Sequence, residues 1–167
     1  MTTTQLAGNP VQLAGSFPRK NDTLKNFDAV KSDLSLIRLE TFAGKRKILN
    51  IFPSIDTDIC ATSVRTFNQK AAGLENTIVI CLSFDLPFAH KRFCGAEGIE
   101  NVVTGSLLRT PSVATDLGVL IQDGPLQGLT ARAVIVLDEN NQVLHAQMVD
   151  DIKNEPDYDA ALDALKK

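Results

Sequence analysis

The hydrophobic rhythm of this chain sharpens at Ile48. Ile48-Leu49-Asn50-Ile51-Phe52 is a short apolar run with the length and composition of a core strand. Cys60, Val64, Phe67, Ala71 and Leu74 then recur at helical spacing, and Gly73 and Asn76 mark where that helix ends. Residues 77–84 are β-rich and almost continuously apolar, as in a strand covered on both faces. Strand, helix and strand predict a parallel pair joined by a right-handed crossover. Asp85 with Pro87 starts a second, short helix that ends near Gly95 or Gly98, since proline suits a first turn and glycine a C-terminus.

Further along, residues 101–104 read as a strand and 112–120 as a short helix. Residues 131–137 and 143–149, joined by Asp138-Glu139-Asn140-Asn141, make a β-hairpin. A last helix carries Tyr158, Ala161, Leu162 and Leu165 behind the start signal Asn154-Glu155-Pro156-Asp157. Near the N-terminus, residues 5–7 and 11–14 flank Gly8-Asn9-Pro10 and predict a small hairpin turning there. Residues 16–27 are looser, and Leu34, Leu36 or Ile37, and Leu39 alternate as a strand or an extended connection.

With 167 residues, 44% of them hydrophobic and 22% charged, the chain fits one globular domain with a substantial core. The net charge of -3 is spread, and Lys45-Arg46-Lys47, the one basic cluster of note, reads as a solvated turn, so neither nucleic acid nor an anionic membrane is an expected partner. Residues 1–15 contain no lysine or arginine and no sustained apolar run, and no stretch is long enough to span a bilayer, which predicts a soluble, cytoplasmic protein. Cys60, Cys81 and Cys94 are an odd count without the spacing of a secreted disulfide scaffold. In a reducing compartment, a disulfide between any two is a catalytic state rather than a staple.

Cys60 carries the candidate chemistry, because it falls at the start of a helix just after a buried strand. Unpaired N–H groups and the partial positive charge of a helix N-terminus favour thiolate over thiol. Charge stabilisation alone achieves little. Lowering a thiol's pKa from about 8.5 to about 6 raises its thiolate fraction about thirtyfold, but nucleophilicity per thiolate falls roughly thirteenfold, leaving about a factor of two. Fast attack by such a thiolate therefore needs donors that bind the substrate and stabilise charge on its leaving group. Thr57 can direct its hydroxyl into the same first turn, either as an N-cap or toward the sulfur and a bound substrate. Pro53 has no N–H and a fixed φ, so it ends the strand and shields the thiol without a competing donor. Arg132 opens the hairpin strand expected beside the first strand–helix unit, and its planar fork can hold thiolate and substrate together. Asp58 works against a second negative charge unless it points to solvent or caps the helix.

Cys94 lies on the glycine-flanked second helix, which local unfolding could open so that its thiol reaches a sulfenic acid on Cys60; the alternative is an idle thiol. Cys81, inside the most apolar strand, reads as core. His90 and Cys94 are four apart and could share a face as metal ligands or as base and thiol, but no second ligand pair with zinc-like spacing accompanies them and His145 stands alone. No metal or cofactor is expected. Residues 124–128 lack the lysine and hydroxyl residue of a phosphate loop and read as a turn. A C-x-x-C oxidoreductase would need a second thiol in Thr57-Asp58-Ile59-Cys60, a cysteine hydrolase would need a motif linking His90 or His145 to Cys60, and a non-catalytic binding module would leave Cys60 with ordinary reactivity.

The pattern P-x-x-x-T-x-x-C, formed by Pro53, Thr57 and Cys60, resembles the active-site signature of the peroxiredoxins. With residues 50–57, Arg92-Phe93-Cys94-Gly95-Ala96-Glu97-Gly98, and Asp123-Gly124-Pro125-Leu126 followed by Arg132, the likeness is to the atypical two-cysteine thiol peroxidases and runs over nearly the whole chain. The resemblance implies an α/β, thioredoxin-like fold: a central mixed sheet flanked by helices, as a single domain over residues 1–167 with 1–15 as a hairpin extension. It implies Cys60 as peroxidatic nucleophile in a pocket completed by Pro53, Thr57 and Arg132, and Cys94 as resolving cysteine in an intrachain disulfide reduced by thioredoxin. It also implies a homodimer and a preference for organic hydroperoxides.

Overall fold

Alternation within one central strand sets the architecture. In β5 (Arg46–Ile51), Leu49 and Ile51 join one buried cluster while Ile48, with Phe52 just beyond, joins another on the opposite side. Both faces of the sheet are therefore covered, as the unbroken apolar runs require. The computed structural model describes residues 3–166.

Elements are numbered in chain order. The main sheet has seven strands in the order β10-β9-β5-β6-β7-β3-β4, with β3 (Asp28–Val30), β4 (Leu36–Arg38), β6 (Thr77–Ser83), β7 (Val102–Ser106), β9 (Ala133–Leu137) and β10 (Val143–Met148). β5, β6 and β7 run parallel, whereas β9 is antiparallel to β5, which makes the sheet mixed as expected. Helices α1 (Asp58–Ala71), α2 (Pro87–Glu97) and α4 (Tyr158–Ala164) cover one face through Ala61, Val64, Phe67, Phe93, Ala161 and Leu165. The opposite face packs under α3 (Ser112–Asp116), through Val113 and Ala114, and under Ile37 and Leu39. A second, three-stranded sheet joins the N-terminal hairpin β1 (Thr3–Leu6) and β2 (Asn9–Ala14) to β8 (Leu120–Ile121).

Several local expectations shift. The hairpin turns at Ala7-Gly8, both with positive φ, rather than at Gly8-Asn9-Pro10, and Pro10 lies in β2 opposite Gln5. Two consecutive residues of positive φ give the tight turn that suits strand twist. The alternation around Leu36 marks only β4, because Leu34 takes a left-handed turn and Leu39 starts a 3-10 turn; β3, its partner, was not anticipated. The helix read over 112–120 stops at Asp116, and Gly118 (φ +70) turns the chain into β8. Lys45-Arg46-Lys47 is not a solvated turn. Lys47 is buried in β5, and its ammonium donates to the Lys45 carbonyl (3.0 Å) and Asn141 Oδ1 (2.8 Å). Burial pulls its pKa below the lysine range, against the attraction of Asp138 and Glu139.

Two left-handed glycines differ in what surrounds them. Gly98 caps α2 in open space, while a Cβ on Gly118 would sit 2.3 Å from the Phe17 nitrogen and from the Ser16 carbonyl carbon. Gly118→Ala should therefore cost more than about 3 kcal/mol, combining left-handed strain with a backbone clash, and Gly98→Ala about 1 kcal/mol. Urea unfolding of the two variants checks the contrast; equal losses would refute it.

Candidate active site

The motif turn is built on the end of β5. Phe52 N–H donates to the Leu82 carbonyl (3.2 Å), and the Phe52 carbonyl accepts from Thr130 Oγ1 (2.7 Å). Pro53, buried and without an N–H, follows, and the chain turns through residues 54–57. Thr57 N–H and Thr57 Oγ1 both donate to the Ser54 carbonyl, at 3.1 and 3.0 Å. Thr57 is the N-cap residue by its extended backbone, yet its hydroxyl does not cap the helix; the tight turn leaves the Ser54 carbonyl as its nearest acceptor. The first intrahelical bond runs from Ala61 N–H to the Thr57 carbonyl at 2.9 Å. The N–H groups of Asp58, Ile59 and Cys60 thus have no acceptor within α1, and Cys60 lies in this first turn.

Arg132 arrives from the other direction. The antiparallel register pairs Ile51 with Ala133, so Arg132 falls beside the end of β5. Its Nε donates to the Ile152 carbonyl (2.8 Å), its own carbonyl accepts from Val149 N–H (3.1 Å), and its Nη2 donates to Cys60 Sγ (3.3 Å). Nη1 is buried and has no hydrogen-bond partner among the described residues. Cys60 is 0% and Arg132 2% exposed, so the contact is little screened by water. Cys60 belongs to the buried cluster that includes Phe52, Val64 and Phe67, and its sulfur accepts from the guanidinium. Such an arrangement sets one cationic donor on the sulfur and leaves another for a ligand oxygen.

The fold gathers Pro53, Thr57, Cys60 and Arg132, four of the five residues singled out from sequence. Cys94 is a free thiol in the last turn of α2, half-buried against the apolar cluster that also contains Cys60, and burial pushes its thiol pKa up. Cys81 is core, its pKa pushed up to about 12 mainly by burial. Asp58 is exposed, which weakens its repulsion of a charge on Cys60. His90 does not face Cys94 as a ligand partner; its Nε2 lies 2.8 Å from Ser83 Oγ.

Sequence reading missed the network behind the turn. Asp85, expected only to begin a helix, accepts from Ser54 Oγ at 2.7 Å, from Ile55 N–H at 2.7 Å and from Ser83 Oγ at 2.6 Å. Its signal was the parallel register. Ile51 pairs with Leu82, and continuing that offset past both strand ends sets Ser54 opposite Asp85.

The sequence profile of the Redoxin family matches residues 19–162. A thiol peroxidase of Corynebacterium glutamicum is 51% identical over 165 residues, covering 99% of each chain. Among solved structures, a peroxiredoxin-like protein from Aquifex aeolicus superposes with a TM-score of 0.94 at 36% identity, over 99% of this chain and 96% of its own. Thiol peroxidase from Chromobacterium violaceum gives 0.91 at 26%, over 98% and 95%.

Asp85 makes a pH prediction. Burial raises its pKa, but the nearby His90 (Nε2 3.7 Å from Oδ2) and hydrogen bonds from Ser83, Ile55 and Ser54 outweigh it and lower the value from 3.8 to about 2. The side chain is 10% exposed, so the shift converts to about 2 kcal/mol of stability, present above about pH 4 and lost as pH falls through about 2. Urea midpoints followed from pH 5 to 2 should fall less steeply in Asp85→Asn than in the wild type. Parallel curves would show that the carboxylate carries no such linkage.

Proposed function

The chain belongs to the Redoxin family and is a thiol-dependent peroxidase of the peroxiredoxin type, and from that premise we propose that Cys60 is its peroxidatic nucleophile and Cys94 its resolving thiol. The observation that carries this reading is the contact of Arg132 with Cys60 Sγ at a helix N-terminus, with a second guanidinium nitrogen left for substrate. The substrates are organic hydroperoxides and hydrogen peroxide.

The Cys60 thiolate attacks the terminal oxygen of the hydroperoxide. The S–O bond forms as the O–O bond breaks, sulfur is oxidised by two electrons, and the alkoxide leaves with a proton as alcohol. Arg132 Nη1 stabilises charge moving onto the leaving oxygen. Thr57 Oγ1 has committed its proton to the Ser54 carbonyl, so it meets the hydroperoxide as an acceptor for the O–H. Pro53 closes the pocket without a competing donor.

Cys94 then attacks the Cys60 sulfenic acid, expelling water and forming an intrachain disulfide. Its position supports this step. Cys94 is in the last turn of α2, its carbonyl bound by Gly98 and Ile99 N–H groups, so few helical bonds need to open from that end. A dithiol of the thioredoxin type returns both cysteines to thiols in the cytoplasm; no described helix is long and apolar enough to cross a membrane. The whole chain, N-terminal hairpin included, acts as one domain.

Two copies associate through the face bearing Leu86, Phe88 and Leu108. These side chains are 49, 61 and 53% exposed, and they follow within a few residues of the paired strand ends Ser83 and Ser106.

The chain has no tryptophan, so quenched-flow mass spectrometry with cumene hydroperoxide is the suitable assay. Wild type should form a Cys60–Cys94 disulfide, Cys94→Ser should stop after one turnover with a persisting Cys60 sulfenate, and Cys60→Ser should lose roughly a thousandfold or more of the rate. Full turnover by Cys60→Ser would end the assignment. For the second copy, sedimentation should show the wild type at the mass of two chains and the double variant Phe88→Glu, Leu108→Glu at that of one. A wild type sedimenting as one chain at micromolar concentration would refute the dimer.

A further inference from the structure

We propose that Asp85 is a positioning residue for the peroxidatic cysteine, holding the motif turn in the geometry that places Cys60 against Arg132; this rests on the function proposed above. The carboxylate touches neither sulfur nor guanidinium. It acts through the backbone. Oδ2 accepts Ile55 N–H and Oδ1 accepts the Ser54 hydroxyl, each at 2.7 Å. Because Ser54 gives its one proton to Asp85, its oxygen presents a lone pair to Asp56 N–H, which donates at 3.2 Å. The Ser54 carbonyl in turn takes both donors of Thr57. Four consecutive motif residues therefore depend, directly or by relay, on one carboxylate, and α1 begins from the last of them.

Alternative duties for Asp85 are not met. It does not cap its own helix: the N-cap position of α2 is Leu86, and no side-chain cap is made there. Nor is the surface ion pair from Asp56 to Arg92 (2.5 Å) an equivalent tether, since both side chains are more than half exposed. The Asp85 network is shielded, and it continues through Ser83 to His90 on α2. Ser83 has one hydroxyl proton, donated to Asp85 Oδ2 at 2.6 Å. The hydrogen on His90 must then lie on Nε2 and be donated to Ser83 Oγ at 2.8 Å. His90 is fully buried on α2, one turn before Cys94. The same carboxylate thus indexes the peroxidatic turn against the helix of the other thiol.

Arg132, by contrast, is fixed by Ile152 and Val149, on a part of the chain that Asp85 does not touch. Freeing the turn would move the sulfur and leave the guanidinium in place. In Asp85→Asn, one oxygen is replaced by an NH2 that must face either Ile55 N–H or a serine hydroxyl, so the turn loses its single solution.

The test uses the full chain carrying Cys81→Ser and Cys94→Ser, so that Cys60 is its one thiol. Reaction of Cys60 with cumene hydroperoxide and, separately, alkylation by iodoacetamide are followed by mass spectrometry. Asp85→Asn should slow the peroxide reaction about 30- to 100-fold, as expected for a small misplacement of reacting groups. Alkylation, which needs no oriented donors, should change less than about threefold, so the ratio of the two rates falls; simple loss of fold would not produce that split. Ser54→Ala, which removes one bond of the network, should give a loss of about fivefold. If Asp85→Asn fails to fold by circular dichroism, Ser54→Ala decides alone. A folded variant with an unchanged rate ratio overturns the role of Asp85. A wild type that does not consume hydroperoxide overturns the proposed function instead.

Discussion

The structure depends on bringing a guanidinium and a thiol together where water scarcely reaches. An ion–dipole or ion–ion contact is several times stronger there than in solvent, but the desolvated groups must find partners. Arg132 meets that condition incompletely. Among the described residues Nε and Nη2 are bonded while Nη1 is not, and leaving a buried donor unmatched costs about 1–3 kcal/mol. A fold optimised only for stability would have filled that position or turned it to solvent. In the proposed function that position takes a substrate oxygen, and the β5–β9 register sets Arg132 beside the end of β5, from which the chain turns into α1 and Cys60.

Much of this was legible in the chain. The βαβ unit, the late hairpin and the terminal helix each follow from periodicity strong enough to override local ambiguity, and Pro53, Thr57 and Cys60 announce themselves as a motif between strand and helix. Arg132 was reachable because a hairpin strand following a βαβ unit tends to pair with its first strand. What escaped notice has a common cause. β3, the 3-10 turn at Leu39 and the burial of Lys47 depend on partners far along the chain: Ser106 for β3, Asn141 for the Lys47 ammonium. A three-residue strand or a lone lysine leaves no periodic trace. Asp85 was hidden for a different reason, since an Asp before a proline already has a sufficient local explanation as a helix start.

Helix α2 is under two opposed demands. In the proposed cycle it holds the turn that carries Cys60 while the peroxide reacts, and it then yields so that Cys94 can reach Cys60. The distribution of its contacts separates these demands in space. Its N-terminal half is anchored by the buried His90–Ser83–Asp85 chain, whereas Cys94 sits toward its C-terminal end, near the exposed Arg65–Glu97 pair and the open left-handed Gly98. Exposed pairs contribute little and water replaces them readily. Opening can therefore start from the C-terminal turn without first breaking the network that positions Cys60.

That separation bears on where the rate enhancement originates. A lower thiol pKa yields about a factor of two once diminished nucleophilicity is counted, so an enzyme of this chemistry is fast only while an acceptor and a donor straddle the O–O bond. In the proposed reaction Thr57 Oγ1 serves as the acceptor because its proton is tied to Ser54, and Arg132 Nη1 is the donor that the bonds to Ile152 and Cys60 leave over. Neither residue is specified by its own identity; each is specified by where its other hydrogen bonds go. The turn's placement then matters more than the acidity of the thiol, and groups that never touch substrate acquire as strong a claim on the reaction rate as those that do.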